Sequence, residues 1–118
     1  LLIEDNGSAL DLLQRYLEKD GYEVFCSTNG EDGILKAKFY RPSAIILEIL
    51  LPGKMDGWEV LRFLRHRPET ANIRVMMLTT AAQQVDREHG ASLGCNDYLV
   101  KPFSSADLRA HVERMLES

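Results

Sequence analysis

Hydrophobic positions in this chain alternate between two rhythms. Five short apolar runs, Leu1–Glu4, Glu23–Ser27, Ala44–Glu48, Arg74–Leu78 and Asp97–Lys101, are each too short for a helix and read as strands. Runs such as Val75-Met76-Met77-Leu78 carry no polar alternation, which suits strands buried on both faces of a parallel sheet. Between the runs, apolar residues recur at helical spacing. The first helix covers about Ser8–Lys19, with Leu10, Leu13 and Leu17 on one stripe and Gly21 just past its end. The second, near Glu31–Tyr40, is bounded by Gly30 and Pro42. Asp56-Gly57-Trp58-Glu59 opens the third in capping-box form, and Val60, Leu61 and Leu64 are its buried face. The fifth follows Ser104, with Asp107 three residues on, and presents Leu108, Val112, Met115 and Leu116.

The fourth helix, roughly Gln83–Leu93, has the weakest signal. Its apolar stripe is thin, and Gly90 in its interior costs about 1 kcal/mol relative to Ala. Gly94 supplies the left-handed residue that ends it. This helix is expected to open most easily. Five strand–helix units predict an α/β domain, (βα)5, with a doubly wound parallel five-stranded sheet and helices on both faces.

The composition is compatible with this architecture. At 118 residues there is one core and no second domain, so residues 1–118 read as a single unit. Hydrophobic residues make up 45% and charged residues 27%, the balance of a globular protein. No apolar stretch approaches the roughly 20 residues of a membrane span. A net charge of −4 argues against direct nucleic-acid binding, which uses a basic stripe. Cys26 and Cys95 stand apart, without metal-type spacing, and read as reduced structural thiols that fit a cytoplasmic location. The first residue is not Met and the first strand is short, so the chain is expected to be trimmed at its N-terminus, with no output domain expected within residues 1–118.

The candidate chemistry lies at the strand ends. A charge that ends a buried strand is costly unless it is paired. Leu1-Leu2-Ile3 ends in Glu4-Asp5, Ala44-Ile45-Ile46-Leu47 ends in Glu48, and Tyr98-Leu99-Val100 ends in Lys101-Pro102. In a parallel α/β sheet these carboxyl ends face the ligand crevice. The full set of motifs runs E-D, then L-E-I-L-L-P…M-D-G, then M-L-T-T, then D-Y-L-V-K-P-F. Over the whole chain it resembles the receiver domain of response regulators in two-component phosphorelay signalling, of chemotaxis type.

That resemblance implies a flavodoxin-like strand order, 2-1-3-4-5, and a set of roles. Glu4 and Asp5 stand at the acidic pair that holds Mg2+, together with the acceptor carboxylate and the backbone carbonyl of Leu50. Thr79 stands at the hydroxyl position, Lys101 at the lysine and Tyr98 at the aromatic switch. The implied partners are a sensor histidine kinase or phosphotransfer protein, or a downstream effector meeting the helix 4–strand 5–helix 5 face. That face, near Asp97 and Arg109, is also where a homodimer would form.

One departure changes the expected function. The family has an aspartate as phosphoryl acceptor where this chain has Glu48. One extra methylene moves the carboxylate by roughly 1.5 Å, and in-line phosphoryl transfer loses about 100-fold for a misplacement of about 1 Å. The longer acid is expected to reach toward Lys101 and Thr79 and to copy a phosphorylated aspartate poorly, with one charge in place of nearly two. The expectation is a receiver that works without phosphorylation of its usual site and binds Mg2+ weakly or not at all.

Smaller departures accompany it. Gly53-Lys54 lengthens the loop before Met55 by one residue, Thr80 is bulkier than usual, and Leu50 and Ala81 are apolar where the family tunes phosphate hydrolysis. Asp56 reads as a helix cap, Trp58 as packing at the base of the third helix, and His66, His89 and His111 as surface residues. Two alternatives stand beside this reading. One is an ordinary receiver that accepts phosphate on Glu48. The other is an α/β phosphatase-like enzyme, which lacks its usual second Asp because Asn6-Gly7 follow Asp5.

Overall fold

The computed structural model describes residues 1–80 and 87–117; Ala81 and the expected helical residues 83–86 lie outside the described residues. The elements run β1 (Leu2–Ile3), α1 (Gly7–Lys19), β2 (Cys26–Ser27), α2 (Gly30–Tyr40), β3 (Ala44–Glu48), α3 (Gly57–Arg65), β4 (Arg74–Thr80), α4 (Arg87–Leu93), β5 (Asp97–Lys101) and α5 (Ser105–Glu117). The strands form one sheet in the order β2-β1-β3-β4-β5, with every pairing parallel. This is the flavodoxin-like (βα)5 arrangement.

The two-residue period of the strands divides the core between two faces. Ile3, Ile45, Leu47, Val75 and Met77 turn to one side, where Ile34 and Ala37 of α2 and Val60, Leu61 and Leu64 of α3 cover them. Leu2, Ile46, Met76, Leu78 and Leu99 turn to the other side, under Leu13 and Leu17 of α1 and Leu108, Val112 and Met115 of α5. These are the residues that the helical stripes marked.

Local signals explain the boundaries. Asn6 and Asn29 cap α1 and α2 by accepting from Ala9 and Asp32 N–H. Asp56 and Glu59 form a reciprocal capping box on α3. Ser104 and Asp107 exchange the same pair of bonds at the start of α5. Gly94 ends α4 at φ +92°.

Three strands differ from the sequence expectation: β1, expected over Leu1–Glu4, is Leu2–Ile3, and β2 and β4 differ as follows. β2 was expected over Glu23–Ser27, but its ladder is Cys26–Ser27, because it lies at the sheet edge and pairs only with the two residues of β1. β4 continues two residues past Leu78, because Thr79 and Thr80 find partners in Val100 and Lys101 of β5. Thr79 is therefore inside the ladder rather than beyond it. No helix among the described residues is long and apolar enough to cross a membrane.

Candidate functional site

Glu4, Glu48 and Lys101 fall on the same face by strand parity, each in phase with the residues under α1 and α5. The register brings their strand ends together across β1, β3, β4 and β5. Lys101 Nζ lies 2.8 Å from Glu4 Oε1 and 2.9 Å from Glu48 Oε2. Glu4 is fully buried and Glu48 is 6% exposed, so both charges depend on that ammonium. The Glu4 contact is a hydrogen bond. The Glu48 contact is an ion pair without hydrogen-bond alignment, which leaves Glu48 Oε2 as a buried oxygen with no directed donor.

The electrostatics follow from this placement. Burial pushes the Glu48 carboxyl above its ordinary range; Glu4 adds to the rise, while Lys101 and the Leu50 N–H oppose it. Burial alone would lower the Lys101 ammonium, but its hydrogen bond to Glu4 and its ion pair with Glu48 win and hold it above its ordinary value. Two buried carboxylates and one ammonium make a compact knot with one excess negative charge.

The remaining expected site residues are placed differently. Asp5 is exposed, and its backbone N–H donates to Glu4 Oε2 at 3.1 Å. Leu50 is 64% exposed on the loop after β3. Among the described residues, no three acidic, histidine or cysteine side chains are gathered in a way that could hold a metal ion. Lys101 Nζ engages one carboxylate oxygen of Glu4 and one of Glu48, so a divalent cation at the expected ligands Glu4, Asp5 and Glu48 would compete with it. Thr79 is buried, and its hydroxyl donates to the Thr80 carbonyl at 3.2 Å. Thr80 itself is exposed.

Tyr98 has the opposite parity to Lys101 and packs into the α2–α3 face of the core. It lies against Gly90 of α4, beside Trp58 of α3. Trp58 therefore does more than pack at the base of α3: its ring also meets His89 edge-on, with centroids 5.1 Å apart. Burial pushes the Cys95 thiol up, and a hydrogen bond with Tyr98 partly offsets this.

Several side chains have partners that sequence reasoning missed. His111 was expected as a plain surface residue, but it is half-buried, with Nδ1 2.7 Å from Asp97 Oδ2. Asp97 shares the parity of Leu99 and so turns toward α5. Burial would raise its carboxyl, but hydrogen bonds from His111, the Tyr98 N–H and Arg114 hold it below its ordinary range. Arg109, the other residue of the expected self-association face, pairs instead with Asp20 at the end of α1, at 2.7 Å. Arg65 donates to the carbonyls of Ala71, Ile73 and Gly94 and to Asn96 Oδ1, tying the α4–β5 turn to α3. Gly53 sits at φ +88°, and Glu31 accepts from the Lys54 N–H, so the lengthened loop is fastened to the first turn of α2. Gly57 brings α3 flush against β3: a Cβ there would overlap the Glu48 carbonyl. Its place beside Asp56 was the only sequence signal for it.

Comparisons with known proteins agree with this fold. The family model described as the response regulator receiver domain matches residues 1–113. The chain is 37% identical over 98% of its length to the alkaline phosphatase synthesis transcriptional regulatory protein PhoP of Bacillus subtilis (strain 168), covering 47% of that protein. It is 40% identical over 98% of its length to the phosphate regulon transcriptional regulatory protein PhoB of Rhizobium meliloti (strain 1021), covering 50% of it. The chain thus spans about half the length of these curated relatives. Among solved structures, it is similar to the receiver domain of a sensor histidine kinase from Pseudomonas aeruginosa PAO1, with a TM-score of 0.89 and 32% identity. That match covers 99% of this chain and 95% of the other, which has a magnesium ion coordinated in its active-site cleft. This chain belongs to the response regulator receiver domain family of two-component signalling, whose members are signalling regulators rather than enzymes.

Proposed function

We propose that this receiver acts as a protein-interaction switch that does not depend on phosphorylation of its usual site, because Glu48 occupies the acceptor position. The observation that carries this reading is the closed knot at the strand ends, in which Lys101 Nζ stands 2.8 Å from Glu4 and 2.9 Å from Glu48. The extra methylene lets the Glu48 carboxylate meet the lysine directly, so the contact that a transferred phosphoryl group would otherwise make is already filled. In the same reading Glu48 is a poor nucleophile. Its Oε2 is buried and ion-paired, and a reacting atom misplaced by about 1 Å loses about 100-fold in rate.

Mg2+ binds weakly on this proposal, since it must compete with Lys101 for Glu4 and Glu48. Asp5 is the open carboxylate, and the Leu50 carbonyl is the remaining oxygen donor. Thr79 and Tyr98 form the responsive half of the switch, and α4, β5 and α5 form the face offered to partners. Those partners are a cytoplasmic histidine kinase or phosphotransfer protein, a downstream effector, or a second copy of the chain. The domain itself makes no direct contact with nucleic acid.

Glu48→Asp tests the reading. The wild type should gain no stable acyl phosphate from a small-molecule phosphodonor, and the Asp variant should gain one in a Mg2+-dependent way, read by intact mass spectrometry. A phosphorylated wild type with the label mapped to Glu48 would overturn the proposal in favour of an ordinary phosphoaccepting receiver.

A further inference from the structure

The interior glycine of α4 is the position where sequence propensity and packing disagree most. Gly90 is buried, unlike the exposed Glu88, His89, Ala91 and Ser92 around it. A methyl group built on its Cα would overlap the Tyr98 hydroxyl outright. It would also stand 2.9 Å from Tyr98 Cζ and 2.8 Å from Trp58 Cζ3. Three elements therefore meet over one missing side chain: Tyr98 from β5, Trp58 from α3 and the backbone of α4. The edge-on contact of Trp58 with His89 fixes the same α3–α4 approach independently. Arg65 closes the far side, holding the Gly94 carbonyl at 2.8 Å so that the α4–β5 turn cannot drift from α3.

We propose that Gly90 is a positioning residue of the switch: the bare Cα is the seat that holds Tyr98 inward between α4 and Trp58, and any side chain there expels Tyr98 toward the α4–β5–α5 surface. The relief available to a clash depends on which atom meets it. The α4 end is tied toward α3 by the Arg65 bond to the Gly94 carbonyl, and Trp58 keeps an edge-on contact with His89. Rotation of Tyr98 about χ1 is the cheapest escape, since a half-buried aromatic side chain has a second staggered position at the surface. The inference rests on the reading of that surface as the partner-binding face. Its test, however, reads the position of Tyr98 without any phosphodonor, so failure of one can be told from failure of the other.

The experiment compares wild type and Gly90→Ala, both labelled with 3-fluorotyrosine, by fluorine NMR in the presence of a soluble paramagnetic agent. Tyr98→Phe assigns the Tyr98 signal among Tyr16, Tyr22, Tyr40 and Tyr98. Expulsion should raise the paramagnetic relaxation of the Tyr98 signal at least threefold and leave the other three unchanged. Acrylamide quenching of Trp58, the single tryptophan, should rise about twofold. Thermal unfolding supplies the control that helix propensity alone would fail. Gly90→Ala should lower Tm clearly more in the wild-type background than in the Tyr98→Ala background, where the methyl meets only Trp58. If Gly90→Ala does not fold, the Gly90→Ala/Tyr98→Ala double variant should recover folding, because it removes both Tyr98 atoms that the methyl meets. A Tyr98 signal that stays protected in Gly90→Ala, an equal Tm change in both backgrounds, or a double variant that stays unfolded would each overturn the proposal.

Discussion

The two sides of the sheet hold their strand side chains in place by different physics. On the α1/α5 side, Glu4, Lys101 and Glu48 are held by charge in a buried place. On the α2/α3 side, Tyr98 is held by shape, fitted over Gly90 and beside Trp58. Coulombic attraction tolerates a shift of some tenths of an ångström but not the loss of a partner, since an orphaned buried charge costs several kcal/mol. Steric fit tolerates loss of charge but not an added methyl. The receiver thus has one half sensitive to chemistry and another sensitive to geometry. Adjacent strands join them, because Thr79 and Thr80 pair with Val100 and Lys101 between Tyr98 and the knot.

The comparison breaks most severely at Lys101. Lys101→Ala leaves Glu4 and Glu48 buried without a counter-ion and should cost about 3 kcal/mol near neutral pH, measured by urea unfolding. The loss should shrink in acid as the stranded Glu48 carboxyl takes up a proton. Quenching of Trp58 should stay at its wild-type value in the folded variant if the two sides are held independently.

Glu48→Gln sharpens the electrostatic half with a smaller effect. Burial raises the folded-state pKa of Glu48 above its unfolded value, close to 4.5. The folded chain therefore binds this proton more tightly than the unfolded chain. The stabilisation linked to that proton is fully present below about pH 4.5 and is lost as pH rises through the raised folded value. Wild type should accordingly gain stability relative to Glu48→Gln as pH falls through this window, and unfolding curves of both proteins across pH 3–8 check the sign. A difference that does not vary with pH would show that Glu48 is not desolvated as its burial indicates.

Arg109→Ala sets the baseline. Its pairing with Asp20 links α5 to α1 at the surface, where water screens the charges. It should leave the unfolding midpoint unchanged within error and be insensitive to added salt, in contrast to Lys101→Ala.

Much of this molecule is determined by the sequence alone. Hydrophobic period locates all five strands and five helices, because burial on two sheet faces demands continuous apolar runs and burial of one helix face demands a stripe. Caps at Asp56 and Ser104 and the turn at Gly94 are equally legible, since each is satisfied within three or four residues. The motif E-D…E…T…K-P places the site at the carboxyl ends of the strands. Only the tertiary structure decides what those residues do to one another. Lys101 and Glu4 are 97 residues apart in sequence yet 2.8 Å apart in space, and it is strand order and register that bring them together. Register also turns Asp5 outward while Glu4 is buried, although the two acids are neighbours and look alike as letters. Gly90 is the clearest case. Local propensity counts it as a weakness of α4, whereas the packing of Tyr98 and Trp58 from two other elements leaves room there for no side chain at all. A residue's cost is local, but its reason can lie in elements that the chain reaches only after folding.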